Sequence, residues 1–300
     1  MATLRDVSAS VHQRLLNRSR ESERPFNELL QYYAMERFLY RLSQSEYVDR
    51  FILKGALLFR VWMVPDSRAT RDMDFLAYVD NSVDGLIAIA RDIIAVEVTE
   101  DGLIFDPGSV KAQRIKEDAD YEGVRIHFNG LLGNARVKMQ IDVGFGDVVH
   151  PAATEDKYPT LLDHPAPVLR IYPPETVIAE KIEAMLYLGA LNSRMKDFYD
   201  VWRLSQQQSF DGESLLEALK KTLNNRSTSV FQFSKLFSEL TDSSDKQEQW
   251  TAFVNKSMVD APKEFVVLLK AIGVMISPML EAVSKDVIFG VTWSAGGPWK

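Results

Sequence analysis

The chain changes character at one proline-rich stretch, HPAPVLRIYPPE, at residues 164–175. Before this stretch, short apolar runs and alternating patterns are mixed with helical periodicity, and after Thr176 the patterns are almost wholly helical. A boundary near residues 165–173 therefore separates two kinds of architecture. We predict an α+β protein in which a mixed-sheet core is followed by a helical domain, with an N-terminal helical segment at 1–50, the core at 51–170 and the helical domain at 171–300.

Local patterns predict the individual elements. Residues 27–43 have apolar side chains at helical spacing, with Asn27 as the expected N-cap, and FILKGALLFRVW at 51–62 reads as a strand, a glycine turn and a helix. The C-terminal TWSAGGPWK is expected to be loose or to dock late. The remaining segments are a helix at 85–96, a hairpin with strands at 123–128 and 137–145, and helices at 176–188, 194–207, 213–223, 229–240, 245–258 and 262–273.

The composition is that of an ordinary globular protein, with 46% hydrophobic and 26% charged residues. There are no cysteines, which excludes disulfides, thiolate metal sites and thiol nucleophiles. The N-terminus has no signal-like apolar run, and no segment approaches the roughly 20 uncharged apolar residues of a membrane span. We therefore expect a cytoplasmic protein with no membrane partner.

Charge is unevenly distributed along the chain, whose net charge is −7. Residues 76–175 carry 9 Lys/Arg against 17 Asp/Glu, whereas the two flanking parts are close to balance. A nucleic acid would therefore need a local basic patch. Arg14, Arg18, Arg20 and Arg24 are interrupted by Glu21 and Glu23, and we interpret them as a solvated helix face.

Three aspartates are the candidate metal ligands. Asp72 and Asp74, in SRATRDMDFLAY, are two residues apart at the start of an apolar run, so on a strand they share one face. Asp142 lies on the polar face of an alternating segment, QIDVGFGD. If the two strands are neighbours, three carboxylates gather at one sheet edge, as two-metal phosphoryl transfer requires, and Mg²⁺ suits such oxygen ligands. The alternative is a set of solvated strand-end carboxylates.

Other residues are candidates for binding phosphate or an anion. Lys54 and Gly55 precede a helix, whose free N–H groups can bind phosphate. Lys181 projects from an apolar helical surface with no local acid to pair with, so it requires an anion from elsewhere or must extend to water. A ladder of charges follows at i+3 steps and has either a functional role or that of surface ion pairs: Arg194, Asp197, Asp200 and Arg203.

Three motifs in order resemble a known family. They are FILKGALLFRVW…SRATRDMDFL, YEGVRI…VKMQIDVGFGD and AEKIEAMLYLGALNSRMKDFYDVW, and they span residues 51–204. In order and spacing they are similar to the AbiEii/AbiGii-type toxin nucleotidyltransferases of the DNA polymerase beta nucleotidyltransferase superfamily. The resemblance implies a mixed-sheet nucleotidyltransferase core with a helical domain behind it.

The resemblance also implies residue roles. It matches Asp72 and Asp74 to the metal-binding acidic pair, Asp142 to the third carboxylate, and Lys181 to the nucleotide-contacting lysine. The family's R-x-K-D-x-x-D stretch, in which one aspartate has a catalytic role, begins here at Arg194 and contains both Asp197 and Asp200. The sequence does not decide which of the two is the catalytic aspartate.

The first motif departs from the superfamily pattern at one position. A second glycine or a small hydroxyl residue usually follows the glycine, and here Ala56 follows Gly55. The backbone amides remain available for phosphate while the hydroxyl does not, and Thr70 or Ser67 could replace it. Arg68 and Arg71 are phosphate-binding candidates by proximity to the acidic pair.

We therefore predict a nucleotidyltransferase that moves a nucleoside monophosphate from an NTP to an acceptor. Two Mg²⁺ ions held by the three aspartates would activate the acceptor hydroxyl and neutralise the leaving pyrophosphate, with Lys181 supplying a fixed positive charge. The resemblance implies the toxin of a type IV toxin–antitoxin system, an antitoxin partner, and an RNA end such as that of tRNA as acceptor.

Two alternatives remain open at this stage. One is a catalytically silent relative that acts by binding nucleotide or protein, which the alanine after the glycine favours. The other is a metal-dependent phosphohydrolase, which fits the carboxylates but leaves the Lys-Gly pair and Lys181 unexplained. The four histidines show no ligand or triad spacing, so histidine chemistry and structural zinc are discounted: His12, His127, His150 and His164.

Overall fold

The structure is a computed structural model that describes residues 4–65, 68–118, 121–230, 233–241 and 243–300. It divides into two compact units. The sheet unit comprises Met1–Trp62, Ala69–Gly146 and Thr154–Ile171, and the helical unit comprises Met63–Arg68, Asp147–Ala153 and Tyr172–Lys300.

The sheet unit is built on a seven-stranded mixed sheet, which confirms the predicted fold class. The strand order is β3-β4-β5-β2-β1-β7-β6, with β1/β7 and β2/β5 parallel and the other neighbouring pairs antiparallel. The strands are β1 Phe51–Lys54, β2 Met73–Ala77, β3 Leu103–Asp118, β4 Tyr121–Leu132, β5 Ala135–Gly144, β6 Thr154–Lys157 and β7 Val168–Ile171, and the helices are α1 Leu4–Ser22, α2 Phe26–Ser43, α3 Leu58–Val61 and α4 Val83–Ala95.

The alternation of β5 fixes which side chains enter the core. Val137, Met139, Ile141 and Val143 are at most 4% exposed. A shift of one residue in register would turn this whole apolar set to the other face, so the register of β5 on its neighbours is strongly specified. The opposite face of the strand therefore carries Asp142.

The helical unit packs its helices around one long apolar helix. Among its described residues the unit has six α-helices, and the last of them contacts the second, third, fourth and fifth. Its buried side chains include Leu268, Ile272 and Met279. The helices are α5 Pro174–Leu188, α6 Met195–Gln207, α7 Gly212–Asn225, α8 Phe233–Thr241, α9 Ser244–Ser257 and α10 Phe265–Lys285, and two short strands, β8 Phe210–Asp211 and β9 Thr292–Trp293, pair beside them.

Among the described residues, α10 is the one helix long and apolar enough to cross a membrane by length and composition. It has 21 residues, and its most apolar 18-residue stretch has a mean hydropathy of 1.9 and is 44% buried in the structure. It differs from the uncharged run considered in the sequence analysis because it includes Lys270 and Glu281. Core helices of soluble proteins meet the same criterion.

Several local predictions were wrong. Asn27 is not the N-cap, because α2 begins at Phe26 after Pro25, whose φ of −57° suits a helix start. The predicted helix at 262–273 continues through Pro278 to Lys285. The proline-rich boundary contains β7, which lies parallel to β1.

The hairpin is longer than predicted. Its strands extend to Leu132 and from Ala135, leaving a two-residue turn in which Gly133 has φ +58°. Glycine adopts this conformation readily, which explains why the turn is so tight. The C-terminal segment is docked, since Trp293 is 1% exposed and its Nε1 donates to the Ser205 carbonyl at 2.7 Å.

Candidate active site

Three carboxylates converge on the sheet unit. β2 and β5 are parallel neighbours in which Asp74 is the register partner of Asp142, and Asp72 precedes β2 by one residue. One ligand oxygen from each of the three lies within 4.8 Å of the others. At such separations like charges repel by a few kcal/mol at an effective dielectric near ~20, so the cluster favours a shared cation. A set of hard oxygen donors fits Mg²⁺ or a similar divalent ion.

Gly55 makes room for one of these carboxylates. It lies directly after β1 with φ +77°, and a Cβ built there would be 2.0 Å from Asp74 Oδ2 and 2.8 Å from Asp74 Cγ. The residue must therefore be glycine both for its backbone conformation and for the close approach of the aspartate. This role is independent of the predicted phosphate contact of Lys54 and Gly55, which stays a prediction.

The segment after Gly55 is short. A 3₁₀ turn at Gly55–Leu57 leads into α3, which has four residues, so its dipole is small. Lys54 and Ala56 are each 7% exposed, and Lys54 is the register partner of Asp74 on β2.

Thr70 and two side chains of α2 hold the acidic pair in place. Thr70 Oγ1 donates to Asp72 Oδ1, and the Thr70 N–H donates to Tyr32 Oη at 3.2 Å. Gln31 Nε2 donates to the Arg71 carbonyl at 3.3 Å and to the Lys138 carbonyl at 3.2 Å. Helix α2 thus ties the segment before β2 to β5. Two residues were proposed to replace the hydroxyl that Ala56 lacks. The hydroxyl of Thr70 donates its hydrogen bond to Asp72, and Ser67 lies outside the described residues.

Arg125 is a charged neighbour that the sequence analysis missed. It is the register partner of Asp142 across β4 and β5, and its Nε and Nη2 donate to Asp142 Oδ1 and Oδ2 at 2.8 and 2.7 Å. Gln140 Nε2 lies 3.3 Å from both oxygens. The available signal was GVRIHF, which places Arg125 on the polar face of a strand, but only the strand register shows which carboxylate it meets.

A second charge cluster lies in the helical unit. Lys181 Nζ is 2.8 Å from Asp197 Oδ1 and 2.8 Å from Asp200 Oδ2, so its anions come from the next helix. Arg68 donates to both oxygens of Asp200 at 2.9 and 2.8 Å, and Arg194 Nε is 2.6 Å from Asp197 Oδ2. Both aspartates are at most 1% exposed.

The predicted ladder on α6 is therefore only partly a ladder. Arg194 and Asp197 pair at i+3, whereas Asp200 pairs outside its helix. Arg203 donates to the Pro65 carbonyl at 3.1 and 2.7 Å. Asp197 and Asp200 are equally buried and share Lys181, so the structure also does not single out one of them as the catalytic aspartate.

Burial and charge oppose each other in this cluster. Burial alone would raise the pKa of Asp197, but Lys181 and Arg194 outweigh it and lower that pKa to about 2. Burial acts in the same direction on Asp200, whose pKa is lowered by Arg68 and Lys181. For Lys181, burial would lower the pKa and the two aspartates raise it above its usual value. All three groups are therefore charged near neutral pH.

These shifts predict acid sensitivity of the helical unit. Both carboxylates have lower pKa values folded than unfolded, so they stabilise the folded protein above the ordinary aspartate pKa, near about 4, and this contribution is lost at lower pH. For Asp197 the loss extends to about pH 2. We expect the urea midpoint, followed by tryptophan fluorescence, to fall steeply over this window and the Asp197→Asn variant to show a shallower decline. An equal pH slope in both proteins would contradict the assignment.

The predicted site residues thus fall into two groups. The sheet unit contains Lys54, Gly55, Ala56, Thr70, Arg71, Asp72, Asp74 and Asp142, and the helical unit contains Arg68, Lys181, Arg194, Asp197 and Asp200. The acidic triad is the one metal-type cluster of acidic or histidine side chains among the described residues, and it contains no histidine.

A seven-stranded mixed sheet in which two adjacent parallel strands carry Asp74 and Asp142, with Asp72 directly before the first of them, defines a nucleotidyltransferase-like core. The chain belongs to the AbiEii family: the model of the nucleotidyl transferase AbiEii toxin of type IV toxin–antitoxin systems matches residues 37–272. The resemblance found in the sequence is thereby confirmed.

Two solved structures are similar to the chain. The crystal structure of JHP933 from Helicobacter pylori has 14% identity and a TM-score of 0.47, with 86% of this chain and 95% of that chain covered. A second H. pylori structure, that of a protein described as a "putative nucleotidyltransferase", has 14% identity and a TM-score of 0.43, with 86% of this chain and 96% of that chain covered. No curated protein matches the sequence significantly.

Proposed function

We propose that this chain transfers a nucleoside monophosphate from an NTP to an acceptor in a reaction that depends on a divalent metal ion, with Mg²⁺ as the physiological ion. The observation that carries the proposal is the convergence of Asp72, Asp74 and Asp142 within 4.8 Å of one another. Membership of the AbiEii nucleotidyl transferase toxin family supports the reaction class.

The aspartates would be the metal ligands. A divalent ion held by them supplies neutralisation of charge on the triphosphate and activation of the acceptor hydroxyl. The chain's own contribution is geometric: Thr70 fixes Asp72 by a hydrogen bond, Gly55 leaves space for Asp74, and the strand register places Asp142 opposite Asp74.

The phosphate contacts remain proposals. Lys54, Gly55, Ala56 and Arg71 are the candidates of the sheet unit for the triphosphate, and Thr70 is a further one if its hydroxyl turns from Asp72 when nucleotide binds. Lys181, Arg68 and Arg194 are the nucleotide-binding candidates of the helical unit, and each is paired with a buried aspartate. Resemblance to the family supports the nucleotide role of Lys181, and its two carboxylate partners hold it in one position.

Family membership supports an antitoxin partner, and the acceptor is part of the proposal. Type IV toxin–antitoxin systems pair the toxin with an antitoxin, and we propose such a partner for this chain, an RNA end such as that of tRNA as acceptor, and the cytoplasm as its compartment. The acidic charge of residues 76–175 means that RNA binding would rely on local basic side chains and weaken with salt.

The test supplies each NTP with label at either the α- or the γ-phosphate, together with Mg²⁺ and total RNA. Transfer places α-label on a macromolecule and no γ-label. Phosphohydrolysis releases γ-label as phosphate and labels no macromolecule, and a silent relative does neither. The labelled band identifies the acceptor class, because RNA and protein products differ in their sensitivity to nuclease and protease.

Variants of the triad connect the reaction to the site. Asp72→Asn and Asp142→Asn keep the side-chain shape and remove a charged ligand, and we expect each to lower transfer on the order of 100- to 1,000-fold. The matched control is Asp49→Asn, since Asp49 is an exposed aspartate of the same unit. Equal loss in the control, or full activity in the triad variants, would contradict the proposal.

A further inference from the structure

Arg125 is hydrogen-bonded to both oxygens of Asp142, one of the three carboxylates that would bind the metal. An ionised carboxylate offers about four lone-pair positions. Asp142 accepts four hydrogen bonds in the structure, two from the Arg125 guanidinium and two from Gln140 Nε2. A divalent ion can therefore bind Asp142 only if one of these donors gives way.

The two donors differ in ways that matter for this exchange. The Arg125 bonds, at 2.8 and 2.7 Å, form the parallel fork that guanidinium makes with a carboxylate. They also neutralise the charge of Asp142, whose side chain is 7% exposed, whereas Gln140 brings no charge. The Arg125 side chain is 34% exposed, so solvent and a ligand can reach it.

We propose that Arg125 is the counter-cation of Asp142 in the metal-free protein and that, on metal binding, it turns its guanidinium from Asp142 to a phosphate group of the NTP. This inference rests on the proposed function. The same planar fork that fits a carboxylate fits a phosphate, and the side chain is already beside the three acidic ligands. Metal and arginine thus compete for Asp142, and the new contact with the phosphate compensates for the ion pair that Arg125 gives up.

The proposal requires two effects of opposite sign from one substitution. Arg125→Ala removes the competitor, so Mn²⁺ without nucleotide is expected to bind about 3- to 10-fold more tightly, as measured by calorimetry and by electron paramagnetic resonance of free Mn²⁺. The same variant is expected to bind α,β-methylene NTP about 10- to 100-fold more weakly in Mg²⁺, because a charged hydrogen-bond donor is lost.

A purely structural role gives a different result. If Arg125 only orients Asp142, Arg125→Ala weakens Mn²⁺ binding, and that outcome overturns the inference. Arg125→Lys keeps the charge without the fork, and its Mn²⁺ affinity is expected to remain near that of the wild type while nucleotide binding weakens. Arg136→Ala is the control for net charge, since Arg136 is an exposed arginine on β5, and neither affinity should change.

The failure of this inference is distinguishable from failure of the proposed function. Mn²⁺ binding that depends on Asp72 but is unchanged or weakened in Arg125→Ala overturns the role of Arg125 and leaves the metal site intact. Mn²⁺ binding that is insensitive to Asp72→Asn overturns both. Tighter metal binding with unchanged nucleotide affinity overturns the phosphate contact.

Discussion

Replacing Lys181 by methionine is expected to destabilise the helical unit by about 3–5 kcal/mol, because it leaves two buried carboxylates without their shared cation. Asp197 and Asp200 are at most 1% exposed, and each lies 2.8 Å from the lysine nitrogen. Arg68 and Arg194 would each still pair with one aspartate, but Asp197 Oδ1 would lose the lysine's hydrogen bond and both buried carboxylates would lose the charge of Lys181.

The measurement is urea unfolding at pH 7. Four of the five tryptophans, Trp202, Trp250, Trp293 and Trp299, lie in the helical unit, so their fluorescence reports mainly on it. Lys196→Met is the matched control, since Lys196 is an exposed lysine on α6. Its midpoint should change little.

A second set of variants separates charge from packing. Adding Asp197→Asn to Lys181→Met removes the buried carboxylate that lost the lysine's hydrogen bond and leaves only the half-exposed Arg194 without its anion, so it is expected to recover part of the lost stability. A Lys181→Met protein as stable as the wild type would contradict a structural role for the cluster. It also follows that activity lost in Lys181 variants is evidence of a nucleotide contact only when the protein is shown to be folded.

Gly55→Ala is expected to reduce both Mn²⁺ affinity and nucleotidyl transfer by about 100-fold or more, because the new Cβ would take the place of Asp74. The hypothetical Cβ lies 2.0 Å from Asp74 Oδ2 and 2.9 Å from Asp74 Cβ, so the aspartate would have to move off its position on β2. The positive φ of Gly55 adds backbone strain of about 1–2 kcal/mol.

Gly133→Ala is the matched control for the backbone strain. Gly133 has φ +58°, and its hypothetical Cβ meets nothing closer than Ser8 Cβ at 3.8 Å. Both variants should lose comparable stability from φ, and only Gly55→Ala should lose metal binding. Wild-type metal binding in Gly55→Ala would contradict the assigned role of the glycine.

Ala56→Ser restores the hydroxyl typical of the superfamily and tests whether the alanine at this position limits nucleotide affinity.

Local patterns in the sequence predicted the parts of the site that depend on strand alternation. The spacing of Asp72 and Asp74 and the alternation around Asp142 placed these residues on particular faces, and the sheet order then brought the faces together. The strand, glycine and helix at 51–62 were also predictable, because the change of pattern at Gly55 is sharp.

Long-range pairings could not be predicted in the same way. β3 was missed because Pro107 and Gly108 interrupt its alternation and a register shift lies between Asp106 and Lys111. The pairing of Arg125 with Asp142 requires the register of β4 on β5. Lys181 was predicted to need an anion, but its partners depend on how α5 and α6 pack, which no pattern within either helix contains.

Anomalous diffraction from crystals grown with Mn²⁺ and α,β-methylene NTP would show whether Asp72, Asp74 and Asp142 form a divalent metal centre for an NTP. We expect a manganese peak bounded by the three carboxylates, with a phosphate oxygen of the nucleotide in its coordination sphere. Nucleotide bound in the crystal with no manganese at these carboxylates would exclude such a centre.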